Sequence, residues 1–98
     1  MSITNQLLGD KFKHPVAAYS VAAASGNASV SVAETDFSIC AKTADVRYNL
    51  GAAATSSTFY IPKDETYFIR VPAATTVQAI RDASTDGTLL ITGFDSNR

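Results

Sequence analysis

Asp45-Val46-Arg47-Tyr48-Asn49-Leu50-Gly51, Thr58-Phe59-Tyr60-Ile61-Pro62, Glu65-Thr66-Tyr67-Phe68-Ile69-Arg70-Val71-Pro72, Thr76-Val77-Gln78-Ala79-Ile80-Arg81 and Gly87-Thr88-Leu89-Leu90-Ile91-Thr92-Gly93-Phe94 follow one another through the second half of the chain. Each run is rich in β-branched or aromatic residues, has the length of a strand and is closed by turn residues. In the first, Val46, Tyr48 and Leu50 alternate with Arg47 and Asn49. Successive side chains of a strand point to opposite faces, so this pattern gives one apolar and one polar face, a half-buried strand. In the run from Glu65, Tyr67, Ile69 and Val71 share one face while Phe68 and Arg70 share the other. Phe68 therefore needs cover of its own, and a neighbouring subunit can supply it.

Upstream, Val16-Ala17-Ala18-Tyr19-Ser20-Val21-Ala22 and Ala28-Ser29-Val30-Ser31-Val32 read as a hairpin joined around Ser25-Gly26-Asn27, where Gly and Asn tolerate the positive φ of a tight turn. Ala22-Ala23-Ala24 favours helix by propensity, and the flanking alternation is expected to override it. Phe37-Ser38-Ile39-Cys40-Ala41 supplies a further strand. Pro62 is expected at the second position of a type I turn pairing the strand that ends at Ile61 with the one that starts at Thr66. Asp86-Gly87 offers a left-handed step before the last strand. Seven to eight short strands with regularly spaced turns predict an all-β, single-domain antiparallel β-sandwich or barrel-like fold over residues 16–98. Residues 1–15 read as a short N-terminal arm, in which Ser2 caps a helical turn that Gly9 stops. Either that arm is loosely docked, or it lays Ile3, Leu7, Leu8 and Phe12 on an adjacent molecule.

The 98 residues suffice for one core without disulfides or metals. Eight Lys and Arg against nine Asp and Glu leave a net charge of −1 and no basic stripe, which argues against nucleic acid as a partner. The longest apolar runs are Ala-rich and too short to span a bilayer, and Met-Ser-Ile-Thr-Asn-Gln lacks the layout of a signal peptide. The expectation is a chain made in a cytoplasm, with no membrane partner. Alanine clusters at residues 22–24 and 52–54 forecast a thin core. Each Ile replaced by Ala forgoes about 2 kcal/mol at ~0.8 kcal/mol per buried CH₂, so self-assembly is expected to contribute to stability.

Reactive chemistry is sparse. Cys40 and His14 are the single members of their types, and there is no Trp. No local signature of a nucleophile pair or triad accompanies them, and the reading is a protein with no catalytic residues, no cofactor and no metal. Cys40 is expected to serve as a small apolar residue. Asp82-Ala83-Ser84-Thr85-Asp86-Gly87 matches a calcium loop only in part, and a solvated turn whose Asp side chains bond nearby amides is the alternative. Arg47, Arg70 and Arg81 each fall inside a predicted strand. Such residues ordinarily cover apolar surface with their stems, but Arg and Tyr are also enriched among interface anchors. Arg47, Tyr60, Phe68 and Arg70 are the candidate interface residues beside the arm, with Tyr48 and Tyr67 expected on the same surface as Tyr60. A shelf of these aromatics for sugars is the competing reading.

The order of these elements resembles the small virion proteins of tailed bacteriophages that decorate or cement a capsid lattice. The resemblance rests on Val46-Arg47-Tyr48-Asn49-Leu50-Gly51, on Phe59-Tyr60-Ile61-Pro62 with Glu65 and Phe68, on Val71-Pro72 leading to Val77-Gln78-Ala79-Ile80-Arg81, and on Gly87-Thr88-Leu89-Leu90-Ile91-Thr92, about half of the chain. It implies a β-sandwich on the outer capsid surface of the virion, bound to the major capsid protein as a homo-oligomer, with a trimer favoured, stabilising the shell. Two other readings stand beside it. One is a head-fibre or tail accessory module that recognises a host-surface glycan; the other is a non-viral adaptor that adds its edge strand to a partner.

Overall fold

The computed structural model describes residues 14–95. Eight strands run in the order β1 (Pro15–Ala23), β2 (Ala28–Val32), β3 (Asp36–Lys42), β4 (Val46–Leu50), β5 (Phe59–Ile61), β6 (Thr66–Arg70), β7 (Thr75–Arg81) and β8 (Gly87–Phe94). They form two antiparallel four-stranded sheets, β1-β8-β3-β6 and β2-β7-β4-β5, and the protein is a single-domain β-sandwich. Four of the pairings, β1 with β8, β2 with β7, β3 with β6 and β4 with β5, are those of one long ribbon whose tip is the β4–β5 hairpin. Rolling that ribbon adds β3 beside β8 and β4 beside β7. This connectivity is a jelly roll.

Alternation fixes the two inner faces. Phe37, Ile39 and Ala41 of β3 stand opposite Gly93, Ile91 and Leu89 of β8, and all of these are buried. Across the core lie Val77 and Ala79 of β7, Val46 and Tyr48 of β4, Val32 of β2 and Ile61 of β5. Ala23, Ala41 and Ala79 are fully buried, and Gly93 faces the same interior. The core is therefore filled partly by small residues, as the composition forecasts. Over Gly93 the missing side chain leaves room for Glu34, whose carboxylate would collide with a Cβ there. Tyr19 donates its hydroxyl hydrogen to Glu34 Oε1 at 2.7 Å, closing that end of the sandwich.

The strands fall where the sequence places them, but three expected connections differ. β1 and β2 do not pair; they belong to different sheets, and Ser25-Gly26-Asn27 is a corner between layers. No residue of that corner has positive φ. Instead Asn27 anchors it, donating from Nδ2 to Gln78 Oε1 at 2.8 Å and accepting from the Ala54 N–H at 2.8 Å. β5 and β6 are likewise in separate sheets. Pro62 occupies the first position of their turn, accepting from the Glu65 N–H at 3.1 Å, with Asp64 at φ 69° as the third residue. β7 and β8 also change sheets, and the left-handed step expected at Asp86-Gly87 is absent there. Positive φ occurs among the described residues at Thr43, Gly51 and Asp64. Within the ribbon, strands adjacent in sequence are joined by corners, and only β4 and β5 form the hairpin. Ala22 and Ala23 lie in β1, so packing prevails over helix propensity there.

Candidate interaction surface

The best-organised exposed cluster lies on the outer face of the β2-β7-β4-β5 sheet, at its β5 edge. Arg47 of β4 stands opposite Tyr60 of β5 on one side and Ile80 of β7 on the other. Its guanidinium is fixed from three directions. Nε donates to Asp82 Oδ1 at 2.7 Å, Nη1 donates to the Thr58 carbonyl at 3.1 Å, and the group lies 4.9 Å from the centre of the Tyr60 ring. A planar cation held by a carboxylate and stacked on an aromatic face has few rotamers left to lose on contact with a partner.

Tyr60 is oriented in turn. Its hydroxyl donates to Asp45 Oδ2 at 2.7 Å, while Asp45 Oδ1 accepts from the Lys63 N–H at 2.8 Å. The Lys63 amide, and then the Tyr60 hydroxyl, hold the Asp45 carboxyl below the usual carboxylate range. The hydrogen bond to Asp45 raises the Tyr60 phenol above its ordinary value, so both groups keep the protonation states that the bond requires at neutral pH. Asp82 thus anchors Arg47. Among the described residues no group of three or more His, Cys, Asp or Glu is placed to hold a metal.

Phe68 and Arg70 lie on the opposite outer face, that of the β1-β8-β3-β6 sheet. Arg70 stands opposite Asp36, and its Nε and Nη2 donate to the two carboxylate oxygens at 2.9 and 3.1 Å. Asp36 is 2% exposed although it faces outward, because it is flanked by Arg70 of β6 and Phe94 of β8. That bidentate bond raises the Arg70 guanidinium further above its already high value. The Phe68 and Phe94 rings are tilted against each other with centres 6.3 Å apart, so part of the cover Phe68 needs comes from its own chain. The same face carries Cys40, half-buried beside Leu90 rather than in the core, and Leu90 is 42% exposed.

The candidate residues therefore divide between two faces. Arg47 and Tyr60 are together on one, Phe68 and Arg70 on the other, and Ile3, Leu7, Leu8 and Phe12 lie outside the described residues. Tyr48 and Tyr67 do not join Tyr60. Both point to the inner side at the β5–β6 flank, where Tyr48 is 8% exposed and packs on Phe59 with ring centres 5.4 Å apart. Arg81 is separate again, paired with Asp86 at 2.8 Å. Asp45, Asp82 and Asp36 are the functional partners that sequence reasoning did not assign. Asp82 is 35 residues from Arg47 and Asp36 is 34 from Arg70, and no local spacing signals either pair.

No protein-family model matches the chain, and neither a curated protein nor a solved structure matches it.

Proposed function

We propose that this chain is a structural virion protein that binds the outer surface of a capsid, contacts the major capsid protein and stabilises the shell. The observation that carries this reading is the Arg47–Tyr60 plate. A guanidinium and a phenol, both types enriched at interface hot spots, are locked in place on an exposed face by Asp82, Thr58 and Asp45. They are arranged for contact with a surface rather than enclosure of a small molecule. The recesses near this sheet are shallow: one of about 260 Å³ lined by Thr43, Ala44, Asp45, Ala83 and Thr85, another of about 340 Å³ along Ser31–Ala33 and Ala74–Thr76. Jelly rolls also occur in viral capsid domains, in lectins and in cupins, an analogy of architecture and not of site. Many modest contacts repeated over a symmetric lattice give high avidity, which suits a small surface of this kind.

The test is to add purified protein to shells that lack it and to measure their thermal disruption. Wild-type protein should co-sediment with the shells and raise their disruption temperature, and Arg47→Ala with Tyr60→Ala should weaken both effects. Unaltered binding by the double variant would remove the plate as the contact. The glycan reading is favoured by one observation, the exposed aromatic rings of Phe59, Tyr60 and Tyr67 around the β5–β6 flank. Saturable binding to a glycan panel, lost with Phe59→Ala and Tyr67→Ala, would support it instead.

A further inference from the structure

The sandwich has four sheet edges, and they are guarded unequally. β5 is three residues long, and β6 is five residues long, carries Arg70 and is followed by Pro72. Short length, charge and proline are the devices by which edge strands avoid pairing with other chains. β2 is uncharged but only five residues long. β1 is different: nine residues, the terminal position of its sheet, and no charged side chain. Its one irregularity lies between Pro15 and Ala17, and from Ala17 to Ala23 the ladder with β8 is regular. Among the described residues, no backbone hydrogen bond outside the sheet ladders involves residues 15–23. Among the described residues, the edge of β1 away from β8 therefore presents a row of backbone donors and acceptors open to another strand.

The sequence of that regular stretch says which strand fits. Ala17-Ala18-Tyr19-Ser20-Val21-Ala22-Ala23 reads nearly the same in both directions about Ser20. In an antiparallel pair of two such strands centred on Ser20, alanine meets alanine at both outer positions, Tyr19 meets Val21, and Ser20 meets Ser20. No like charges oppose each other, and Tyr with Val is a favourable cross-strand pair. A two-fold contact requires this self-complementarity, because each residue must tolerate the partner that symmetry assigns to it. Ala18, Ser20 and Ala22 are exposed on the outer face, so among the described residues no large side chain of β1 stands on that face beside the edge.

We infer that the β1 edge is a homodimerisation surface, on which a second copy of this chain lays its own β1 antiparallel across a two-fold axis at Ser20. The two four-stranded sheets then join edge to edge. This arrangement differs from the trimer that the phage resemblance implies. A three-fold ring needs two unlike edges to meet, and the symmetry of β1 favours like with like. The inference is independent of the capsid reading.

The experiment is light scattering of the full chain across a wide concentration range, with two variants. Wild type should approach twice the monomer mass as concentration rises. Ser20→Lys sets two cations against each other at the axis, and should remain monomeric with an unchanged circular dichroism spectrum and a melting temperature that no longer rises with protein concentration, as the wild type's should. Ser20→Cys in a Cys40→Ser background should give a covalent dimer on mild oxidation, since facing antiparallel positions fall within the Cα separation of about 4.4–6.8 Å that a disulfide spans. A wild-type mass that stays monomeric, a trimer, or a Ser20→Lys protein that still dimerises would each overturn the inference.

Discussion

Along the β1–β2 flank the sandwich is lined by Tyr19, Val21, Ala23, Ala28 and Val30, whereas along the β5–β6 flank it is lined by Tyr48, Phe59, Tyr67 and Ile69. On the first flank small side chains let the layers approach, and the strands at the edge are uncharged. On the second flank the edge strands are short, large rings fill the gap, and ion pairs stand on both outer faces: Arg47 with Asp82 and Arg70 with Asp36. Each flank can therefore be touched in a different way. The β1 side offers backbone to another strand, and the β5 side offers fixed side chains to a surface.

Removing core volume at the aromatic flank should have the largest effect on stability. Ile61 is fully buried at the end of β5, and Ile61→Ala should cost about 2–5 kcal/mol in a denaturant titration. Phe59, two residues away on the same face, is 58% exposed and keeps mainly its contact with Tyr48. Phe59→Ala should cost about 1 kcal/mol, the scale of an aromatic pair. Equal losses at the two positions would mean that the flank is closed rather than open.

Next in size is the plate. Arg47→Ala gives up a partly exposed ion pair, and ~1 kcal/mol of stability is expected, with the larger effect on shell binding. Arg47→Lys should retain the charge yet lose the stacking and the bond to Thr58, so its binding should resemble that of Arg47→Ala. Full binding by the lysine variant would reduce the site to a simple charge.

The pH response sharpens the same point. Asp45 has its folded value lowered by the Lys63 amide, so its contribution is present above the ordinary carboxylate range and disappears as pH falls through the lowered value. Tyr60 has its folded value raised by Asp45, so its contribution is present below the ordinary phenol value and disappears as pH rises through the raised one. Spectrophotometric titration should show Tyr60 ionising later in the wild type than in Asp45→Asn. The smallest effect belongs to the other flank. Ser20→Lys should leave stability within about 0.5 kcal/mol, as an exposed substitution with no partner of its own in the monomer.

Strand positions were legible from the sequence because alternation and turn residues are local signals. Val46, Tyr48 and Leu50 do face inward, and Phe68 and Arg70 do face outward. Strand partners were less legible. Ser25-Gly26-Asn27 and Pro62-Lys63-Asp64-Glu65 have the composition of hairpin turns and serve as corners between sheets, since a reversal and a change of layer call for the same residues. Alternation along a strand also cannot say which of two outer faces a residue joins. That is why Arg47 and Arg70, both candidate interface residues in the sequence, lie on two different faces. Their carboxylate partners are brought close by the rolling of the ribbon, a long-range event with no trace in local spacing.

The proposed capsid role is tested most directly by a quantitative protein inventory of any particles produced from the genome that encodes this chain, before and after mild chaotropic washing. The chain should be present in many copies per shell and be released by washing while the shell stays intact. Intact, purified particles without it would contradict the role on the capsid.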